Sequence, residues 1–148
     1  MKEVKVFSDG ACRGNPGPGG YGVLVVADGK VKEISGSEKR TTNNRMEMIG
    51  ALRGLEAVKT PSKIIVTTDS NYVVKGMTEW LAGWMKRGWR TAGGSGVKNR
   101  ELWEKLVTLS EKHAVRWKWV KGHNGHAENE RCDALANMAI DEMLSKNY

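Results

Sequence analysis

Three β-rich runs follow one another between residues 2 and 40, with no stretch between them long enough for a crossover helix. Parallel neighbours need a crossover of a dozen or more residues, so these runs are expected to pair as an antiparallel meander. The first, KEVKVFSD over 2–9, alternates, with Val4, Val6 and Ser8 on one face and Lys5, Phe7 and Asp9 on the other. The second and third, YGVLVVADGK and KVKEISGSEK, join through Asp28-Gly29, a dipeptide that suits a two-residue hairpin turn.

After residue 40 the period changes. TTNNRMEMIGALRGLEAVK reads as a helix capped by Asn43 or Asn44, with Ile49, Leu52, Leu55 and Val58 as its buried stripe and Pro61 as its stop. KIIVTTDS, apolar on both faces at Ile64–Val66, is expected to be a central strand covered by helices. SNYVVKGMTEWLAGWMKRGWR is helical in pattern but broken by glycines, TAGGSG is a flexible loop, and NRELWEKLVTLSEK is a further helix. HAVRWKWVKG is a last strand, and AENERCDALANMAIDEMLS a final helix with Leu135, Ala136, Ala139 and Met143 on one side. Three strands followed by helix, strand, helix, strand, helix make an α/β layered fold around a mixed sheet, and 148 residues suffice for one domain with its own core.

The partner class is suggested by charge. Lys and Arg number 24 against 17 acids, a net +7 that suits a polyanion, although a basic surface kept for solubility has the same total. No apolar run approaches the ~20 residues that span a bilayer, MKEVKVFSDG has no signal-peptide core, and two cysteines are too few for a disulfide framework. The expectation is a soluble cytoplasmic protein without a membrane partner.

Gly17, Gly19 and Gly22 satisfy the G-x-G-x-x-G spacing of a dinucleotide-binding turn. Such a turn leads into a helix, whose amides meet the pyrophosphate. Here it leads into Val23–Val26, a strand, and Pro16 and Pro18 remove two amides. A rigid irregular turn is the plain alternative.

The acids are more informative. Asp9 and Asp69 close the first strand and KIIVTTD, Glu47 lies in the first turn of the helix between them, and Asp133 lies near the start of the last helix. Each has a structural alternative: an Asx turn for the strand-end aspartates, a capping box with Asn44 for Glu47, a first-turn helix acid for Asp133. Against these, Phe7, Ile65 and the apolar helix stripes bury their elements. Converging carboxylates repel one another unless a cation sits between them, and oxygen-only ligands suit Mg²⁺ or Mn²⁺. An acidic site on a basic protein suits metal-dependent chemistry on a phosphodiester. His123, His126 and Cys132 match no common zinc spacing. His123, on a glycine-flanked loop, reads as a proton carrier, while His126 and His113 read as exposed loop residues.

FSDGACRGNPGPGGYG, RTTNNRMEM, TTDSNYV, KRGW and WVKGHNGHAENERCDALA together resemble type 1 ribonuclease H of bacteria, in the same order from residue 4 to about 140. The resemblance implies a five-stranded mixed sheet, three antiparallel strands then two parallel ones, flanked by helices, and one catalytic domain over 1–148. It implies hydrolysis of the RNA strand of RNA–DNA hybrids by two Mg²⁺ ions bound with substrate, Mn²⁺ able to substitute, leaving 5′-phosphate and 3′-hydroxyl ends. Asp9, Glu47, Asp69 and Asp133 match the metal-binding carboxylates, and His123 the mobile histidine. Arg40, Thr42 and Asn99 resemble the pocket for a DNA-strand phosphate, Asn15, Asn43 and Asn71 the minor-groove contacts, and Trp80 the aromatic of the DNA channel.

Lys86, Arg87, Arg90, Lys98 and Arg100, interleaved with Trp80, Trp84 and Trp89, resemble the family's basic handle at about 80–100, with Trp84 and Trp103 expected in the core. The TAGGSG loop is more glycine-rich than many handles, and with no hybrid-binding domain before Met1 high processivity is not expected. A monomer is expected. The glycines after Asp9 are expected to bring the backbone close to nucleic acid. A non-catalytic or DNA-cutting relative on the same fold is the alternative; the four acids argue against the first and the glycine and asparagine motifs against the second.

Overall fold

In a computed structural model of the chain, which describes residues 1–122 and 126–146, the opening runs form the expected meander: β1 Lys2–Cys12, β2 Gly17–Ala27 and β3 Lys30–Thr41. Asp28 and Gly29 take φ values of 53° and 72°, the left-handed backbone of a two-residue hairpin loop. The chain continues through α1 Asn43–Glu56 into β4 Ser62–Thr68, then α2 Asn71–Lys75, a π-helical stretch Gly76–Trp80 and α3 Leu81–Lys86. It ends with α4 Arg100–Ser110, β5 Ala114–Trp119 and α5 Ala127–Ser145. The strand order is β3-β2-β1-β4-β5, with β1, β4 and β5 mutually parallel.

The central strand is therefore β1, not β4 as the apolar run at Ile64–Val66 suggested. One sheet face packs against α1 and α4 around fully buried Met46, Met48, Leu55, Trp103 and Leu106. The other is covered by α5, which lies on β1, β2 and β3 and buries Phe7, Leu24, Cys132 and Leu135. Since α5 stops short of β4, Ile65 is 37% exposed, while Ile64 and Val66 are buried.

Thr42 is the N-cap of α1, in place of Asn43 or Asn44: its backbone is extended (φ −126°, ψ 161°) and its Oγ1 accepts from Arg45 N at 3.2 Å. The helix closes at Glu56, before Pro61, with the Ala57 N–H returning to Arg53 O at 3.1 Å. Ile49, Leu52 and Leu55 are buried as expected, Val58 only partly. On α5 the buried stripe is Leu135, Ala136 and Ile140, with Ala139 and Met143 at its margin.

The glycine reading also changes. A Cβ on Gly22 would collide with the Cys132 carbonyl and lie 2.7 Å from Leu135 Cβ. This glycine brings α5 onto β2; the close approach it serves is helix to sheet, not backbone to ligand.

Candidate active site

The parallel ladder between β1 and β4 ends at the pair Ser8–Thr68, and the next residues on the two strands are Asp9 and Asp69. Asp9 is not at a strand end: β1 runs on to Cys12, and Asp9 still pairs with Gly22 of β2. Glu47 reaches the same point from the second turn of α1, whose first turn carries no acid, so the capping-box alternative fails. What brings it in is Gly10, where a Cβ would lie 2.5 Å from Glu47 N. The Gly10 N–H donates to Asp9 Oδ1 at 2.9 Å and also to Glu47 Oε1. Oxygens of Asp9, Glu47 and Asp69 all lie within 4.8 Å of one another. Asp133, in the second turn of α5 and not its first, completes the lining of an open cleft of about 370 Å³ shared with Asn43, Asn44, Asn71 and Tyr72.

Asp9 and Glu47 are almost fully buried, at 3% and 5% exposure. Burial, followed by the charge of neighbouring Asp69, pushes the Asp9 carboxyl up to about 8. Burial, followed by Asp9 and Asp69, also raises Glu47 well above the usual carboxylate range. No Lys, Arg or His lines this cleft among the described residues, so no side-chain cation offsets these charges. Asp69 Oδ1 is buried without a hydrogen-bond partner. Clustered, under-satisfied carboxylate oxygens are the donor set of a hard divalent cation.

Trp119 and Gly122, which the sequence did not single out, hold Asp69 from the β5 side. The Trp119 indole N–H donates to the Asp69 carbonyl at 3.0 Å, and a Cβ on Gly122 would come within 2.6 Å of Asp69 Oδ2. His123 lies outside the described residues. His126 and His113 are not exposed loop residues. His126 caps α5, its Nδ1 accepting from Asn129 N at 3.2 Å, and packs against Phe7; His113 Nδ1 accepts from Ser62 N at 3.1 Å.

Of the residues singled out for recognition, Asn43 and Asn71 line the cleft. Asn15 Oδ1 accepts from Asn43 N at 3.1 Å, tying the turn after β1 to the start of α1. Asn43 and Asn71 are exposed first residues of α1 and α2. Arg40 is exposed near the end of β3. Thr42 and Asn99 are linked through Arg45, a role nothing in the local sequence signals: Arg45 N–H donates to Thr42 Oγ1, and Arg45 Nη1 donates to Asn99 Oδ1 at 3.1 Å.

Trp80 is 37% exposed, its ring edge-on to Tyr72 with centroids 6.0 Å apart, while Trp84 and Trp103 are core as expected. Lys86, Arg87 and Arg90 are exposed; Arg87 Nε donates to the Arg90 carbonyl and Arg90 Nη1 to the Gly94 carbonyl, each at 3.1 Å. Residues 91–96 fold back on themselves, Thr91 N–H bonding Ser95 O at 2.7 Å, where the sequence suggested a flexible loop.

The RNase H family model matches residues 1–141. The chain is 58% identical over 142 residues to the ribonuclease H of Syntrophotalea carbinolica, covering 96% of this chain and 93% of that one. LC9-RNase H1, a type 1 RNase H with the type 2 active-site motif, superposes with a TM-score of 0.82 at 40% identity, covering 96% of this chain and 74% of that one. LC11-RNase H1, solved in complex with an RNA/DNA hybrid, gives 0.71 at 25% identity, covering 95% and 99%.

Proposed function

The chain belongs to the ribonuclease H family and cleaves the RNA strand of RNA–DNA hybrids, and from that premise we propose that Asp9, Glu47, Asp69 and Asp133 form its reaction centre. The observation that carries the proposal is the convergence of Asp9, Glu47 and Asp69 oxygens within 4.8 Å, with Asp133 on the same cleft. These carboxylates hold divalent cations, taken as two Mg²⁺ ions bound with substrate, with Mn²⁺ able to substitute. Such ions, when bound, make a nucleophile of water at neutral pH and stabilise the charge on the departing 3′ oxygen. The products are then a 5′-phosphate and a 3′-hydroxyl.

The remaining residues bind, orient and move protons. Gly10 N–H holds the Glu47 carboxylate toward Asp9. His123 carries a proton to or from the reacting oxygens. Arg40, Thr42 and Asn99 take a phosphate of the DNA strand, and the exposed ring of Trp80 lines its channel. Asn15, Asn43 and Asn71 contact the minor groove, where the 2′-hydroxyl distinguishes RNA from DNA. Lys86, Arg87 and Arg90 supply phosphate contacts on the handle at about 80–100.

All four acids come from one chain, which fits a monomer acting as one catalytic domain over 1–148. Cys12 and Cys132 are free thiols, in keeping with a cytoplasmic location. The test is an assay on matched RNA–DNA, RNA–RNA and DNA–DNA duplexes with and without Mg²⁺. Cleavage confined to the RNA strand of the hybrid and dependent on the ion is expected; equal cutting of DNA–DNA, or full activity in chelator, overturns the assignment.

A further inference from the structure

Asn99 caps α4 in left-handed backbone (φ 61°, ψ 27°), yet its side chain makes no hydrogen bond to that helix. The carboxamide is instead held between two other elements. Its Oδ1 accepts from Arg45 Nη1 at 3.1 Å, and its Nδ2 donates to the Tyr72 hydroxyl at 3.2 Å. Arg45 Nη1 also donates to Glu101 Oε1 at 2.6 Å, so the guanidinium is itself fixed against α4. Through its backbone N–H, the same arginine bonds Thr42 Oγ1 at 3.2 Å.

The two ends of an amide are nearly the same shape and opposite in polarity. Toward a phosphate, the N–H end attracts and the oxygen end repels. A guanidinium has only donors, so it takes only the oxygen end. With Oδ1 on Arg45 and one Nδ2 hydrogen on Tyr72, the other Nδ2 hydrogen is left for an anion.

We infer that Arg45 is a positioning residue for substrate binding: it sets the direction of the Asn99 amide so that a donor, not an acceptor, meets the DNA-strand phosphate. The inference rests on the reading of Thr42 and Asn99 as phosphate contacts given above. Without Arg45 the amide is free to turn over and present oxygen.

The test is a double-mutant cycle on the full chain, with hybrid binding read by fluorescence anisotropy and steady-state KM and kcat beside it. Arg45→Met raises KM about tenfold with kcat within about twofold of the parent, as expected for loss of one charge-assisted contact. In an Asn99→Ala background the same substitution costs less than about twofold, because the amide it orients is gone. Equal losses in both backgrounds overturn the inference and leave the phosphate reading standing. An Asn99→Ala variant with unchanged KM overturns the phosphate reading and the inference with it.

Glu101→Gln separates the ion pair from the amide contact. KM within about twofold of the parent is expected, and a loss matching Arg45→Met overturns the inference. Asn99→Asp, which keeps an acceptor for Arg45 but has no N–H to offer, weakens binding more than Asn99→Ala. Binding as tight as the parent's in Asn99→Asp overturns the inference even if Arg45→Met fails to fold.

Discussion

Asp9 and Asp69 stand side by side because the parallel register of β1 and β4 ends one residue before them, at Ser8–Thr68. Their separation is thus set by sheet geometry, and neither depends on a loop to bring it in. Asp9→Asn or Asp69→Asn removes a charged ligand without changing side-chain shape. Either variant is expected to lose Mg²⁺-dependent cleavage of a hybrid while still binding it. Cleavage rates and gel-shift affinities measured together check this, and parental rates in either variant would remove the two aspartates from the reaction centre.

The same crowding makes the ion-free protein sensitive to pH. The Asp9 carboxyl moves from 3.8 to about 8, and Glu47 is also raised, so between those values the folded state holds more protons than the unfolded one. Stability of the metal-free protein therefore falls as pH rises through this window and levels off above it. Thermal melts in chelator are expected to give a higher Tm at about pH 5 than at about pH 8.5, with Mg²⁺ reducing the difference. Asp9→Asn flattens the profile. A chelator Tm that rises across this range would show that the buried acids are already compensated.

Gly22 offers a test of the scaffold behind the site. It lies on β2 opposite Asp9, and a Cβ there meets the Cys132 carbonyl and Leu135, one residue either side of the Asp133–Ala134 segment of α5. Gly22→Val is expected to lower unfolding free energy by about 1–3 kcal/mol, measured by denaturant titration, through overpacking of strand against helix. An unchanged midpoint would mean that α5 can lift from the sheet without cost.

Much of this was legible in the chain. The meander, the Asp28-Gly29 hairpin and the order of the later elements follow from periodicity and turn chemistry, which are local. What was not legible depends on partners distant in sequence. Ile65 looks like a doubly covered strand residue until α5 is seen to stop at β1. Gly10 and Gly22 look like ligand contacts until α1 is found against the first and α5 against the second. Glu47 lies one turn later than the local pattern suggests because Thr42, not Asn43 or Asn44, caps α1, its hydroxyl oxygen accepting from Arg45 N–H. The Arg45–Asn99 bond joins positions 54 residues apart, and neither residue's local pattern announces the other.

His123→Ala is expected to slow turnover while leaving the carboxylate site assembled. Among the described residues, Gly10 N–H holds Asp9 and Glu47, and Trp119 Nε1–H holds the Asp69 backbone. Reduced kcat with unchanged hybrid affinity checks the proton-carrier reading. Complete loss of activity would give this side chain a more central part.

The handle is tested by salt. Lys86, Arg87 and Arg90 are exposed, and although Arg87 and Arg90 each spend one N–H on a backbone carbonyl, a guanidinium has five to offer. Those two bonds pre-order the arginines rather than neutralise them, so each remains a cation for a phosphate. Every such contact releases counterions and adds about 0.9 to the slope of log affinity against log salt. Replacing all three by Gln is expected to weaken hybrid binding at low salt and flatten that slope by up to about 3, with kcat little changed. The weakening should be least at high salt, where the parent has already lost the same contacts. A slope equal to the parent's would show that this surface does not touch the phosphates, and that the basic excess of the chain binds elsewhere.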